Sequence, residues 1–285
     1  MTVSEGGQGS GRALLARPAV SLRAVWARLS RGPARNALLT AASLLIFLAV
    51  WQLLSTTVFN SMLIPPPLVV LHAAIPMLLS GEIFSDVAIS MVRVLVGFIS
   101  GSLVAIVLGV LLGRIRLLHD LLDPSIELMR YLSPTAMIPI AVIWFGIGEM
   151  SKYFLIFWGT FFIVLINTTA GVWRAPIARQ RAAECLGANQ LQIFIWVVIP
   201  SAVPYIVTGM RVAMASSFMS IIPAEILAAD SGIGYLLQKS SMLMQTDRIF
   251  VALVTICALG FVVDRIFRVT ADKVLARYMS FVSQT

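Results

Sequence analysis

The sequence predicts an all-α polytopic membrane protein with six transmembrane helices, and three observations carry that prediction. Its 285 residues are 59% hydrophobic and only 12% charged, whereas a soluble domain carries about 25% charged residues. Six windows of mostly apolar residues approach the length of about 20 that a hydrocarbon core requires. Basic residues concentrate in alternate connections between those windows, the bias that orients helices in a bilayer.

Residues 1–36 form a basic N-terminal tail, with Arg12, Arg17, Arg23, Arg28, Arg31 and Arg35 against the acid Glu5. Its GGQGSG stretch predicts a mobile segment. Residues 37–275 form the membrane domain, and 276–285 a short C-terminal tail. The first window, 38–57 (LLTAASLLIFLAVWQLLSTT), is longer than the apolar core of a signal peptide. No A-x-A-like site closes it, so it is read as a retained helix. In the connection 58–93, the prolines of IPPPLVV (64–70) impose extended backbone, and 68–80 predicts a short interfacial helix.

The second window, 94–113, repeats a small residue every four positions: Gly97, Gly101, Ala105, Gly109 and Gly113. That spacing puts them on one helical face and lets another backbone approach closely. Helix packing is the plain reading, and a sliding surface the functional one. The third window (128–147) holds Pro134 and Pro139, and the fifth (203–228) holds Pro204 and Pro223. Both are expected to kink, which membrane helices tolerate when neighbours satisfy the backbone. The fourth and sixth windows are 153–173 and 249–267.

With the tail inside, Arg114, Arg116, Arg174, Arg179, Arg181, Arg265, Arg268, Lys273 and Arg277 are also inside. Outside remain Arg93, Lys152, Lys239 and Arg248. Both termini and residues 174–200 are therefore expected to be cytoplasmic.

Catalytic and cofactor chemistry finds little support. His72 and His119 lie outside the windows, so a membrane haem lacks ligands. No G-x-S-x-G elbow and no phosphate-binding loop occurs. Cys185 and Cys257 have no metal or redox spacing, and no metal site is expected. The net charge of +8 is scattered between apolar runs rather than gathered into the basic stripe of a nucleic-acid binder.

Arg211, near the middle of the fifth window, is the costliest residue to place in hydrocarbon. Pro204, Thr208, Arg211 and Ala215 share one face by their i, i+4, i+7, i+11 spacing, and that face is expected to point into protein. Glu127 and Arg130 lie near the cytoplasmic end of the third window, and Glu127 is the nearest candidate partner by depth. Either a pathway or a buried ion pair accounts for these residues. An ion-coupled secondary transporter would show repeats and midplane acids. The sequence shows neither beside Arg211, and no filter motif suggests a channel.

Residues 173–200 read WRAPIARQRAAECLGANQLQIFIWVVIP, too polar to span and too apolar for a free linker. Residues 177–186 predict a helix, Gly187 its left-handed end, and a second short helix is expected before Pro200 opens the fifth span. Helix, glycine, helix along the cytoplasmic face is a docking device. Its candidate residues are Arg181, Ala182, Ala183, Glu184, Gly187, Ala188 and Gln190.

This stretch resembles the cytoplasmic loop of permease subunits of bacterial ATP-binding-cassette importers. That loop runs Glu-Ala-Ala, three residues, Gly, nine residues, Ile, any residue, Leu, Pro. Ala182, Ala183, Gly187, Val197, Ile199 and Pro200 fall at the matching positions, and Arg181 stands in place of the glutamate, with Glu184 nearby. WFGIGEMSK (144–152), INTTAGV (166–172), IPPP (64–67), LLDPSIELMRYLSPTAMIPI (121–140) and PSAVPYIVTGMRVA (200–213) resemble the nitrate, sulfonate and taurine branch. The resemblance implies a type I importer permease fold with a coupling helix near 178–190. It implies a second, identical permease subunit, two cytoplasmic ATPases that hold ATP and Mg, and an extracytoplasmic solute-binding protein. No cofactor is implied on this chain, and the location implied is the bacterial inner membrane.

Overall fold

A computed structural model describes residues 33–60 and 62–279. Most of the basic tail (1–32) and the end of the C-terminal tail (280–285) lie outside the described residues. The chain falls into two compact units, Met1–Val58 and Phe59–Thr285.

The first unit contributes α1 (Pro33–Thr57). Proline at the first helical position costs no hydrogen bond, and at the other end Thr57 Oγ1 donates to the Leu53 carbonyl at 2.7 Å. The second unit comprises α2 (Pro67–Leu79), α3 (Glu82–Arg114), α4 (Arg116–Met129), α5 (Ile138–Phe145), α6 (Glu149–Trp173) and α7 (Ile177–Cys185). It continues with α8 (Gln190–Ile193), a π-helical turn (Phe194–Val198), α9 (Ile199–Ala228), α10 (Ile233–Met242) and α11 (Thr246–Met279). Helix α2 starts where the proline run ends, with Pro66 in extended conformation before it.

The core is built on α6, which packs against α3 on one side and α9 on the other. Ile156, Val164, Leu165, Thr160 and Thr168 of α6 are almost wholly buried. The small-residue face of α3 makes this contact. A Cβ on Gly97 would meet Ile156 Cβ at 2.5 Å, and one on Gly109 would meet Thr168 Cβ at 2.7 Å. At Gly113 the same test finds Val172 Cβ at 2.6 Å, and at Gly101 the Phe157 carbonyl at 3.0 Å; Ala105 on the same face is fully buried.

Five helical stretches among the described residues are long and apolar enough to cross a membrane: 39–57, 82–114, 149–173, 190–226 and 246–273. Six windows were expected. The third, 128–147, is the one that differs, because it is not a continuous helix. Helix α4 ends at Met129, turns follow through Met137, and α5 has only 8 residues, about 12 Å of helix against a hydrocarbon core of about 30 Å. Pro139 sits in the first turn of α5, and Gly146, at φ 74°, ends it. Irregular backbone at this depth needs protein partners. The Trp158 indole N–H supplies one, donating to the Leu132 carbonyl at 3.0 Å, and Met137, Ile138 and Ala141 pack with Leu155 and Ala224.

The fifth span also differs at its start. The short helix expected before Pro200 does not stand apart: it continues through the π-helical turn into α9. Pro200 has no N–H to give and would crowd the carbonyl four residues back. The chain widens there instead, and the Ile199 N–H reaches the Phe194 carbonyl, five residues back, the pattern of a π-bulge. Helix α9 then runs unbroken past Pro204 and Pro223.

Candidate functional site

Three regions hold the polar side chains that could matter: the loop between α6 and α9, the Arg211 face of α9, and a cluster around Arg93.

In the loop, α7 ends as the sequence predicts. Gly187 has φ 84°, its N–H donates to the Glu184 carbonyl at 2.9 Å, and the Ala188 N–H donates to the Ala183 carbonyl at 3.0 Å. This pair of bonds is a Schellman ending. Asn189 then opens α8 with a reciprocal capping box: its Oδ1 accepts from the Gln192 N–H at 2.8 Å, and its own N–H donates to Gln192 Oε1 at 2.9 Å. The Gln190 amide donates to Glu184 Oε1 at 3.1 Å, tying the two helices together.

The loop is therefore rigid by construction. Its inner side rests on Val172, Ala175, Ile193 and Val198, with Ala183 and Ala188 packed against them. Arg181, Ala182, Glu184 and Gln190 are exposed, and so are Leu186 at 88% and Trp196 at 77%. Ala183, Leu186, Gly187, Ala188, Gln192 and Trp196 line a shallow depression. Bulky apolar groups thus stand exposed beside polar ones on a well-capped backbone.

Arg211 does not pair with Glu127. Its Nε and Nη2 donate to Asp264 Oδ1 and Oδ2 of α11 at 3.1 and 3.3 Å, whereas Glu127 pairs with Arg130 one turn away at 2.7 Å. Arg130 also reaches the Tyr131 hydroxyl at 3.2 Å. Nor does the Arg211 face point into the chain: Thr208 and Ala215 are exposed and Arg211 half-buried. The acid missing from the sequence reading is Asp264, at the end of the sixth window. Pairing across 53 residues leaves no local signal.

The Arg93 cluster was missed altogether. Arg93 and Lys152 entered the sequence reading only as charges of the outside segments, and they prove to be 2% and 4% exposed. Arg93 Nε and Nη2 form a fork onto Glu149 at 2.7 Å each. Its Nη1 donates to Glu225 Oε1 and to the Ser231 carbonyl, each at 2.7 Å. Lys152 Nζ donates to Glu149 Oε1 at 2.8 Å.

Glu225 itself is fully buried. It accepts from the Ser90 hydroxyl at 2.8 Å and from the Gly234 N–H at 2.8 Å. The N–H groups of Gly232 and Ile233 go to Asp86 Oδ1 at 2.9 Å and Ser90 Oγ at 3.0 Å. The first amides of α10, the orphan donors of any helix start, are thus satisfied by α3 and α9. A signal was present in the sequence: Asp86, Ser90, Arg93 and Gly97 share a face by i, i+4, i+7, i+11 spacing, extending the small-residue row in α3.

These three regions are thus an exposed, capped loop, a half-exposed ion pair and a buried polar network between helices. Known proteins with the same sequence features transport solutes. Residues 101–275 match the family described as binding-protein-dependent transport system inner membrane component. A putative ABC transporter permease of Methanocaldococcus jannaschii is 42% identical over 186 residues, 65% of this chain and 70% of the relative. The taurine transport system permease protein TauC of Escherichia coli is 34% identical over 177 residues, 62% of this chain and 64% of TauC. Nitrate import and aliphatic sulfonate permeases match over similar lengths. Among solved structures, a chain of the inward-facing MetNI methionine ABC transporter superposes with a TM-score of 0.54 at 18% identity, covering 72% of this chain and 98% of that one. It is a likeness of fold. The chain belongs to the binding-protein-dependent transport system inner membrane component family, as an ABC importer permease of the nitrate, sulfonate and taurine branch.

Proposed function

We propose that this chain, paired with an identical copy, forms the membrane pathway of an importer for a small solute with an anionic group, such as a sulfonate. An extracytoplasmic binding protein delivers the solute. Separate cytoplasmic ATPases, holding ATP and Mg, drive the cycle by gripping residues 174–200. The chain lies in the inner membrane with both termini cytoplasmic, an orientation supported by its arginine distribution. The solute class rests on the relatives' names and on the positive charge of this chain.

The observation that carries the reading is the fixed bend at Gly187. A left-handed glycine, a Schellman ending and a capping box hold α7 and the start of the α9 run at a fixed angle, with Leu186 and Trp196 exposed on them. The run from Gln190 continues into a helix that packs along α6. A push on the loop is therefore transmitted directly to α9, without a flexible joint in between. ATPase closure would move the two copies' loops together and re-aim the pathway.

Gly187→Val tests this. A β-branched residue strongly disfavours positive φ, and no atom lies within 4 Å of a Cβ there, so the effect comes from backbone geometry alone. The expected result is normal membrane insertion, weakened co-purification of the ATPase and loss of uptake. Full ATPase binding and uptake in the variant would remove the loop from the coupling role.

A further inference from the structure

We propose that Arg211 and Asp264 form an anion subsite on the translocation path, deepening the importer reading on which it rests. The Arg211 guanidinium receives the anionic group of the passing solute, and Asp264 holds that guanidinium when no anion is there.

Depth is the first argument. Arg211 lies well inside the stretch 190–226, and Asp264 nine residues from the end of 246–273, both stretches long and apolar enough to cross a membrane. Charged groups at such depth face protein or a water-filled cavity rather than lipid. The second argument is exposure. Their side chains are 39% and 42% exposed, beside the exposed Thr208, Val212 and Ala215 on the outer face of α9. This chain alone does not cover them.

Geometry is the third argument. Contacts at 3.1 and 3.3 Å use Nε and Nη2, and a guanidinium has five N–H donors in a planar fork. Nη1 has no hydrogen-bond partner among the described residues, so a second planar or tetrahedral oxyanion can be received bidentately. The fourth argument is the local charge. Arg265 and Arg268 act on Asp264 electrostatically and Asp272 acts on Arg211, so three positive groups stand against two acids. Such a field concentrates anions. A competing carboxylate within reach keeps the solute's hold shallow, as passage requires binding that also releases.

The test uses the permease assembled with its ATPase in proteoliposomes, with Cys185→Ser, Cys257→Ser and Ala215→Cys. Two thiol reagents of similar size are compared, a sulfonate-bearing and a trimethylammonium-bearing methanethiosulfonate, each normalised to a free thiol. The sulfonate reagent should react about tenfold faster than its counterpart, the order expected for a unit charge a few ångströms away in a partly aqueous site. The preference should vanish in Arg211→Gln, persist in Arg211→Lys and rise severalfold in Asp264→Asn.

Labelling by neither reagent, without disulfide formation between copies, would place this face against lipid and overturn the proposal. Disulfide formation between copies without labelling would make the face an interface and overturn it too. Labelling with a preference indifferent to Arg211 and Asp264 would do the same. If Arg211→Gln fails to accumulate, Asp264→Asn decides, and an unchanged preference there overturns the subsite. ATPase co-purification from the same sample reads the importer assignment separately: its loss with charge preference intact faults the importer reading and leaves the subsite standing.

Discussion

Arg93 and Arg211 are both arginines on membrane-crossing helices and both fork onto a carboxylate through Nε and Nη2, but their burial and further partners differ. Arg93 donates to two carboxylates and a backbone carbonyl at 2.7 Å with 3% of its side chain exposed. Arg211 meets one carboxylate at 3.1 and 3.3 Å with 39% exposed. Within the salt-bridged Arg93 network the charges balance, with Lys152 beside it and Glu149 and Glu225 opposite. Arg211 has a single salt-bridged acid, with Arg265 and Arg268 acting on that acid and Asp272 on Arg211. A largely buried, ion-paired network costs desolvation but fixes α3, α6, α9 and the start of α10 in one arrangement. An open, unbalanced pair fixes little and stays available to a ligand. The first clamps and the second can exchange partners.

The comparison breaks most visibly at Arg93. Arg93→Met leaves Glu225 buried without its cation, and removing one partner of a buried pair costs about 3–5 kcal/mol. A large fall in yield and in thermal midpoint in mild detergent is expected. Adding Glu225→Met should recover part of the loss, because two apolar groups replace two charges; Glu149, 47% exposed, can be solvated. A mild phenotype for Arg93→Met would show that water reaches Glu225.

Gly232→Ala should be the next largest effect. Gly232 has φ 111°, and a Cβ there would run into the Glu225 carboxylate. Positive φ and the collision together should cost about 1–3 kcal/mol. Gly187→Ala is its control: φ is 84° but no atom lies within 4 Å of the Cβ, so only the backbone penalty of about 1–2 kcal/mol remains. Equal midpoint losses in the two variants would mean that Glu225 shifts freely, contrary to a clamped network.

Local features were the legible ones. The ending of α7 at Gly187, the short helix at the prolines 65–67, and the packing face of α3 each depend on residues within a few positions of one another. The failures share a different cause. Hydropathy averaged over 128–147 hides that Pro134, Pro139 and Gly146 divide the segment, so a broken segment was read as one kinked helix. The second helix of the loop was expected to end at Pro200, because a proline's missing N–H reads as a boundary. A π-helical turn absorbs it instead. Asp264 and Glu225 sit in windows read only for apolar length, and their partners lie 53 and 132 residues away. Charge bias across connections used Arg93 and Lys152 only as charges of the connections and gave no hint of their burial. That burial goes with α3 starting at Glu82, twelve residues before its window, and α6 at Glu149, four before its own.

The smallest expected effect is the sharpest test of the comparison. Asp264→Asn removes one charge from a half-exposed pair, and exposed pairs contribute little because water and side-chain entropy offset the attraction. Its midpoint should fall slightly at low ionic strength. The fall should disappear in concentrated salt, since the screening length shrinks from about 30 Å at 0.01 M to about 3 Å at 1 M. Arg93→Met should show the same large deficit in both, because ions do not enter the space between Arg93 and Glu225. Thermal midpoints of the two variants and the parent, measured across that salt range in one detergent, separate the cases. If Asp264→Asn proves as damaging as Arg93→Met and as indifferent to salt, the assembly seals the Arg211 pair too. The difference between the two arginines would then belong to the isolated chain rather than to the working transporter.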